Sequence, residues 1–355
     1  MKLAALFSFL FLLSFHVVIV SAEELKQDAD SAFHFYEVPT KHSYPGGIAV
    51  DSKGSVWFTQ YRTNKLAVFT KAAYFKEYEV PTQGSNPYDI AVDSNGNVWF
   101  VESGANQIGR FNPQSGKFDE YEIPTKKGEP TRIAIDKKGN IWFTEFAGNK
   151  IGVFDPKKKG FKEYDIPTEL SQPVGIGVDP SGTIWFIETH GNKLGRLSPS
   201  TKKIKEYIIP FIFSAASELA IDKSGNIWFT SKRDFKLIKF TPSSEGFKDY
   251  PLPSRGVVEG ITSDKNGAIW FCERYGRRVV RFTPSAATFT EFDMPMKDSK
   301  PIDIVADSNG NIWITEAVSN QIVKIDVSKL GALKKDEGLS IKFTPPKDMF
   351  KNDKH

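Results

Sequence analysis

Tryptophan recurs along this chain at a nearly constant spacing. Successive tryptophans are 42, 43, 43, 43, 42 and 43 residues apart, and each follows a turn and opens a short apolar run. The set comprises Trp57, Trp99, Trp142, Trp185, Trp228, Trp270 and Trp313. A fixed period of this length, with several short strands in each period, is typical of a β-propeller. The spacing therefore predicts a ring of seven similar units.

The stretch from Ile90 to Phe111 shows what one unit contains. Its short apolar runs are separated by Asp, Asn and Gly, a pattern that predicts consecutive β-hairpins. In this repeat, strands are expected at about 88–92, 97–102, 107–111 and 117–123. We therefore predict an all-β fold, a seven-bladed β-propeller with four antiparallel strands in each blade.

Two more elements recur with the tryptophan. An Asp-x-x-Gly turn precedes it, as in Asp93 and Gly96, because Asp can bond the backbone of its own turn and Gly accepts positive φ. Calcium binding by these turns is the alternative, but each turn offers only one reliable carboxylate. A phrase of the form Tyr-Glu-Val-Pro, first seen from Tyr36 to Pro39, closes the repeats. It suits an outermost strand, since proline cannot donate to a strand ladder.

The chain has one more candidate outer strand than a seven-bladed ring needs. Residues 33–39 match the repeat better than residues 339–343 do. We predict that residues 33–39 complete the last blade, so that the N-terminal strand closes the ring. The expected organisation is a flexible segment over residues 23–32, the propeller over residues 33–329 and a Lys-rich C-terminal tail over residues 330–355.

The first 22 residues resemble an export signal. Lys2 precedes a long apolar run, and Val20-Ser21-Ala22 offers the small side chains that a signal peptidase requires. We predict a cleaved signal peptide over residues 1–22 and a secreted or extracytoplasmic protein without a membrane contact. An uncleaved anchor is the alternative, because the run approaches the length of a bilayer span. The single cysteine, Cys272, excludes an intramolecular disulfide.

The formal net charge of the chain is +4, and the excess of basic residues lies in the leader and the tail. The propeller body is therefore close to neutral, which argues against nucleic-acid binding. We expect a monomer whose partner, a small molecule or a protein, binds at the mouth of the central channel.

Carboxylates recur three residues after the tryptophan. In an antiparallel hairpin the end of the second strand lies beside the start of the first, so this position and the residues after the strand-one proline should share one rim of the channel. The position reads Gln60, Glu102, Glu145, Glu188, Ser231, Glu273 and Glu316. Glu259 and Asp303 fall near the same rim, and Arg132 is the basic residue expected there.

Clustered carboxylates suit a hard cation such as Mg²⁺ or Ca²⁺, which prefers oxygen ligands. We predict Glu273 and Glu316 as metal ligands. The predicted binding residues are Glu102, Glu145, Glu188, Glu259 and Asp303. The alternative is that these carboxylates belong to the repeat consensus and are balanced by neighbouring Lys and Arg.

The run from Trp142 to Glu145, followed by Gly148-Asn149-Lys150-Ile151-Gly152, resembles the streptogramin lyases, the virginiamycin B lyase family. The resemblance covers about residues 33–326 and implies a seven-bladed propeller that opens a cyclic antibiotic lactone by Mg²⁺-assisted elimination. It places catalytic histidines after a proline at the start of the innermost strand in the last two blades. Here those positions hold Glu259 and Ile302. The resemblance also marks Glu316 as a metal-ligand position.

Two functions follow from these residues. The first is an exported binding or scaffold protein that lacks the lyase histidines. The alternative is a metal-dependent carbon-oxygen lyase or a lactonase acting on a lactone-like small molecule. No catalytic residue can be assigned, since His42 and His190 are the only histidines expected near the rim and both fit exposed loops.

Overall fold

The computed structural model describes residues 32–211, 214–296 and 299–330. Within them, β-strands form seven separate four-stranded antiparallel sheets, the blades of a β-propeller. No helix of this described part has the length and apolar character needed to cross a membrane. The predicted signal peptide, nearly all of the segment 23–32, the tail after residue 330 and the candidate strand 339–343 lie outside the described residues.

The strands of the first four blades follow one another in chain order. The first blade contains β2 (Pro45–Val50), β3 (Val56–Gln60), β4 (Lys65–Phe69) and β5 (Phe75–Glu79). The second contains β6 (Pro87–Val92), β7 (Val98–Glu102), β8 (Gln107–Asn112) and β9 (Lys117–Glu122). The third contains β10 (Pro130–Ile135), β11 (Ile141–Glu145), β12 (Lys150–Asp155) and β13 (Gly160–Asp165). The fourth contains β14 (Pro173–Val178), β15 (Ile184–Glu188), β16 (Lys193–Ser198) and β17 (Lys203–Ile208).

The remaining blades keep this plan until the ring closes. The fifth contains β18 (Leu219–Ile221), β19 (Ile227–Ser231), β20 (Lys236–Thr241) and β21 (Gly246–Pro251). The sixth contains β22 (Val258–Ser263), β23 (Ile269–Glu273), β24 (Arg278–Thr283) and β25 (Thr288–Asp293). The seventh contains β26 (Pro301–Ala306), β27 (Ile312–Glu316), β28 (Gln321–Ile325) and the first strand of the chain, β1 (Phe33–Glu37).

The ring is closed by the N-terminal strand, as predicted. β1 runs antiparallel to β28, with Phe33 opposite Ile325 and Glu37 opposite Gln321. The last blade thus takes three strands from the end of the propeller sequence and its outermost strand from the beginning. Closure of this kind leaves the ring without an unfinished blade.

Each tryptophan lies between two blades. Trp99 is buried in one apolar cluster with Phe143 and Phe154 of the following blade, and its ring stacks on Tyr121 of its own outer strand. Its indole N–H donates to Asp93 Oδ2 at 3.0 Å. The same indole-to-aspartate bond occurs in all seven repeats. The tryptophan therefore fastens each blade both to the next blade and to its own turn.

The aspartate of each turn is fully engaged by the protein. Asp93 Oδ1 accepts the backbone N–H groups of Asn95 and Asn97, both at 2.9 Å, while Gly96 adopts a φ of 82°. Because the other oxygen accepts the tryptophan N–H, these carboxylates serve the turn and the blade interface, in agreement with the turn interpretation.

Candidate functional site

The inner strand of nearly every blade begins with a β-bulge. In the second blade Pro87 lies opposite Glu102 and Ile90 opposite Phe100, so Tyr88 and Asp89 are displaced from the ladder. The same shift occurs in blades one, three, four and six. Blade seven has a shorter one, in which Asp303 stays opposite Thr315. Bulges re-aim side chains and are common next to functional sites. Here they bring two successive residues of these inner strands toward the axis of the ring.

The first bulged position surrounds an axial cavity of about 490 Å³, called here the channel-mouth cavity. Six of the seven residues at this position line it: Gly46, Tyr88, Val174, Ser217, Glu259 and Ile302. A volume of this size is typical of a site for a small molecule. Residues at the start of the inner strands therefore surround one cavity at the axis of the ring.

The second bulged position forms a narrower layer, the throat. It reads Gly47, Asp89, Arg132, Gly175, Glu218, Gly260 and Asp303. The glycines make room for the charged side chains beside them. A Cβ atom on Gly47 would lie 2.8 Å from the Cα of Asp89, and one on Gly260 would lie 2.9 Å from the Cα of Asp303. Four charged side chains therefore occupy the space around the axis, which is too narrow for seven side chains.

Arg132 holds the throat together. Its guanidinium contacts Glu218 Oε1 at 2.5 Å, Asp89 Oδ1 at 3.5 Å and Asp303 Oδ2 at 3.8 Å. The two aspartates are also held by the backbone, since Asp89 accepts the N–H of Ile133 and Asp303 accepts the N–H of Ile48. Three acidic groups thus share one cation in a nearly buried layer.

Burial decides the ionisation of this layer. It raises the pKa of Asp89 to about 6, with Arg132 opposing and Asp303 adding to the shift. Burial likewise raises the pKa of Glu218 to about 7 against the opposing effect of Arg132, and it raises the pKa of Asp303. Desolvation disfavours each charged form, so the throat carries fewer negative charges near neutral pH than its composition suggests.

Tyrosines form one wall of the cavity. The rings of Tyr44 and Tyr61 lie 6.3 Å apart, and Tyr61 meets Tyr88 edge to face at 6.0 Å. The guanidinium of Arg132 lies 5.2 Å from the centroid of the Tyr88 ring. We call Tyr44, Tyr61 and Tyr88 the tyrosine wall.

Basic side chains form the part of the lining that adjoins the tyrosine wall, and we call Arg62, Lys232 and Arg274 the basic arc. Glu259 accepts Lys232 at 3.0 Å and Arg274 at 3.4 Å. Arg274 also lies 3.3 Å from the hydroxyl of Tyr44, and Arg62 lies over the Tyr44 ring at 4.7 Å. The expectation that Arg132 is the basic residue of this rim is therefore corrected, because three more cations reach the cavity.

The family model for virginiamycin B lyases matches residues 24–181 and residues 136–335. The chain belongs to the virginiamycin B lyase family. A solved streptogramin B lyase shares 30% identity with it, covers 82% of this chain and 96% of its own, and superposes with a TM-score of 0.78. A catalytically inactive virginiamycin B lyase from Staphylococcus aureus, solved with quinupristin, shares 29% identity at a TM-score of 0.78, over 82% of this chain and 98% of its own.

More distant structures share the fold alone. The extracellular domain of a hybrid two-component system from B. thetaiotaomicron is 18% identical, with a TM-score of 0.68, and the match covers 86% of this chain and 42% of that one. No curated protein matches the chain.

The residue three positions after each tryptophan, called here the Trp+3 residue, is predicted to lie at the rim of the channel. In the structure, none of the seven Trp+3 residues reaches the cavity. All seven are fully buried in the blades: Gln60, Glu102, Glu145, Glu188, Ser231, Glu273 and Glu316. Side chains alternate along a strand, so this position lies on the same face as the phenylalanine that follows the tryptophan and turns toward the preceding blade. Glu145 Oε2, for example, lies 2.7 Å from where a Cβ on Gly128 would be.

Blade one shows what this buried position does in the virginiamycin B lyase fold. There Gln60 donates its side-chain amide to Glu77 Oε1, on the outer strand, at 2.6 Å. In blades two to four a glutamate replaces the glutamine. Burial raises the pKa values of these side chains to about 8, and an outer-strand glutamate adds to each shift; they are Glu102, Glu145 and Glu188. Among the described residues, neither oxygen of these three carboxyls has a partner of hydrogen-bonding geometry.

Glu273 and Glu316, the predicted metal ligands, are held by hydroxyl and amide donors. Glu273 accepts Ser254, and Glu316 accepts Ser299 and, at 2.6 Å, the N–H of Lys300. Across residues 32–211, 214–296 and 299–330, no group of three or more His, Cys, Asp or Glu side chains is placed to hold a metal ion. As placed, the two carboxyls do not form the ligand set of the Mg²⁺ that the family resemblance implies.

The other predicted binding residues fall into two groups, those near the axis of the ring and those inside the blades. Glu259 lines the channel-mouth cavity and Asp303 lies in the throat, whereas Glu102, Glu145 and Glu188 lie inside the blades. Of the histidines considered, His42 and His190 are exposed, as expected for loop residues. In the described part of the chain, no histidine lines the cavity.

The basic arc was missed because it follows the carboxylate position by one or two residues. The Trp+4 position reads Tyr61, Ser103, Phe146, Thr189, Lys232, Arg274 and Ala317. Tyr61, Lys232 and Arg274 of this set line the cavity. In a repeat protein, a position whose residue type varies from repeat to repeat is not constrained by the packing that all repeats share. That variability was the signal in the sequence.

Proposed function

We propose that this member of the virginiamycin B lyase family is an exported binding protein that holds a small molecule in the channel-mouth cavity and does not open lactones. One observation carries the proposal. Glu259 and Ile302 occupy the positions where the resemblance places the catalytic histidines, and no histidine lines the cavity in the described residues. Histidine is the usual proton acceptor near neutral pH, and Glu259 is already engaged by Lys232 and Arg274.

The cavity and the leader support the binding role and the export. The cavity combines aromatic and aliphatic lining with a few convergent polar groups, as small-molecule sites do. The sequence from Met1 to Ala22 has the pattern of a signal peptide. Extracellular domains of bacterial proteins share this propeller fold.

A metal-dependent carbon-oxygen lyase or lactonase is the alternative. Family membership and the retained carboxylate at Glu316 favour it. It requires Mg²⁺ or Ca²⁺ at Glu273 and Glu316, and both side chains would have to exchange their present serine partners for the cation.

The two functions are separated by incubating the purified protein with a streptogramin B antibiotic and Mg²⁺ and following ring opening by liquid chromatography and mass spectrometry. Virginiamycin B lyase serves as the positive control. We expect no linear product above the buffer background. Enzyme-like turnover would overturn the proposal, and its loss in His42→Ala would identify an unexpected base.

A second measurement tests where binding occurs. Ser217 lines the cavity, so Ser217→Trp should fill it. Small molecules that raise the melting temperature of the wild type through this cavity should lose that effect in the variant. Ligands that stabilise both proteins equally would place the binding site elsewhere.

A further inference from the structure

We infer that the ligand of the channel-mouth cavity is a ring compound bearing a carboxylate, with the carboxylate held by the basic arc and the ring held against the tyrosine wall. The inference rests on the proposed binding function and specifies the class of ligand. Its basis is the arrangement of charge and aromatic surface around one cavity.

Positive charge exceeds negative charge in the lining. Its basic side chains are Arg62, Arg132, Lys232 and Arg274, and its acidic side chains are Glu218 and Glu259. Arg132 and Glu218 are bonded to each other at the throat. Glu259 alone serves both Lys232 and Arg274. The basic arc therefore has more cations than carboxylates to pair with them.

Two of these cations are partly removed from water, whereas Arg62 is exposed. The side chains of Lys232 and Arg274 are 23% and 26% exposed, and the Nε of Arg274 is buried with no hydrogen-bond partner among the described residues. Among the described residues, Arg62 has no carboxylate within ion-pair distance, and its guanidinium rests on the Tyr44 ring. Cations that outnumber their carboxylate partners favour an anionic ligand, which would form charge-assisted hydrogen bonds with them.

A carboxylate suits these donors better than a neutral oxygen does. Guanidinium groups bind carboxylates through paired, charge-assisted hydrogen bonds that are shorter and stronger than neutral ones. A cationic ligand is disfavoured, because both lining carboxylates are already bonded to Arg or Lys side chains.

The tyrosine wall supplies the second half of the site. Tyr61 and Tyr88 meet edge to face. Tyr88 borders the cavity and is 39% exposed, so part of its surface is open to a ligand. Aromatic side chains accept flat rings by offset stacking or edge contact. The hydroxyl of Tyr44 also reaches Arg274, so the wall and the arc meet and one compact ligand can touch both.

Two kinds of molecule combine a ring with a carboxylate, namely aromatic acids and sugar acids. The experiment uses matched pairs of probes that differ in charge, benzoate against benzamide and D-glucuronate against D-glucose. Affinities are measured by ligand-observed NMR titration of the full chain at pH 7 and constant ionic strength. Probes of this size are expected to bind with dissociation constants on the order of millimolar.

We expect at least one acid to bind about tenfold or more tightly than its neutral partner. The pair in which the acid binds more tightly than its neutral partner then shows whether the ligand is an aromatic acid or a sugar acid. Arg62→Met, which disrupts no ion pair seen among the described residues, should weaken the acid about tenfold, and Arg274→Met should do the same. Arg233→Met is the matched control, since Arg233 neighbours Lys232 but is exposed and does not line the cavity.

The outcomes separate this inference from the proposed function. If benzamide or glucose binds as well as its acid, and Ser217→Trp abolishes both, the binding function stands and the carboxylate class is wrong. If the acids bind equally well to the Arg62→Met, Arg274→Met and Arg233→Met variants, the basic arc is not the site. If no probe binds at tens of millimolar, the inferred ligand class is overturned, while the lactone assay and the Ser217→Trp comparison judge the proposed function separately.

Discussion

Glu102→Gln should stabilise this propeller, and the gain should grow with pH. Glu102 is fully buried, and its oxygens have no partner of hydrogen-bonding geometry among the described residues. Its pKa is raised from 4.5 to about 8 by burial and by Glu120, against a smaller opposing effect of Ser85. The folded state therefore keeps a proton that the unfolded chain releases above pH 4.5. Stability must fall as the pH rises from 4.5 to about 8, because the unfolded state binds fewer protons in that range.

The magnitude follows from the two pKa values. At about 1.4 kcal/mol for each pH unit, carrying this carboxyl from 4.5 to about 8 costs roughly 5 kcal/mol once the pH exceeds both values. At pH 7 the cost is already roughly 3 kcal/mol on the same basis. Glutamine has the same shape and no ionisation. Gln60 fills the equivalent position in blade one and donates to Glu77, so the fold accepts the substitution.

Urea unfolding at pH 5, 7 and 9 measures the effect. The variant should gain little at pH 5, roughly 3 kcal/mol at pH 7 and more at pH 9. Glu79→Gln is the control, since Glu79 is exposed on an outer strand, and it should change stability by less than about 0.5 kcal/mol. Parallel pH profiles for Glu102→Gln and the wild type, or a loss of stability at every pH, would refute the assignment of a protonated buried carboxyl.

Three other outcomes are expected. Trp185→Ala should lower the free energy of unfolding by roughly 3–5 kcal/mol, because Trp185 is buried between blades and bonded to Asp179; a loss below about 1 kcal/mol would contradict that packing. If Glu273 and Glu316 bind a cation, millimolar Mg²⁺ or Ca²⁺ should raise the melting temperature of the wild type but not of Glu273→Gln/Glu316→Gln, and an unmoved wild-type curve would reject the metal site. Benzoate affinity should fall several-fold between pH 6 and 8, because Glu218 loses its proton near pH 7; Glu218→Gln should flatten the profile, and a flat wild-type profile would count against the site.

The fold could be predicted because one short pattern is repeated seven times. The strand expected at 97–102 is found at Val98–Glu102, and the one expected at 117–123 at Lys117–Glu122. The turn signal at Asp93 and Gly96 set these limits, since the aspartate and the positive φ of the glycine are local requirements. Closure by residues 33–39 was also predictable, because their phrase repeats that of the other outer strands.

The site could be predicted only in part. Residues after the strand-one proline, such as Tyr88 and Glu259, do line the cavity. The residue three positions after each tryptophan does not line the cavity, although it lies at the end of the strand next to the inner strand. The alternation of side chains turns Glu102 into the blade, and the bulge changes which inner-strand residues lie opposite. Neither the bulge nor the packing of Arg132 among three acids follows from spacing, since both depend on how seven strands crowd one axis.

The pairing of β1 with β28 also dictates an order of events. Phe33 is synthesised long before its partner Ile325, so the first strand must wait until the last blade exists. Entropy adds little to this delay, because each doubling of a loop costs only about 0.6 kcal/mol. Aggregation is the risk during the time between the synthesis of β1 and that of β28. In that time β1 and the incomplete blade both present unpaired strand edges, with which another chain could pair. A chain that stops before Gln321 lacks the partner strand of β1, so both β1 and the edge of the last blade stay unpaired and it should self-associate more readily than the full chain.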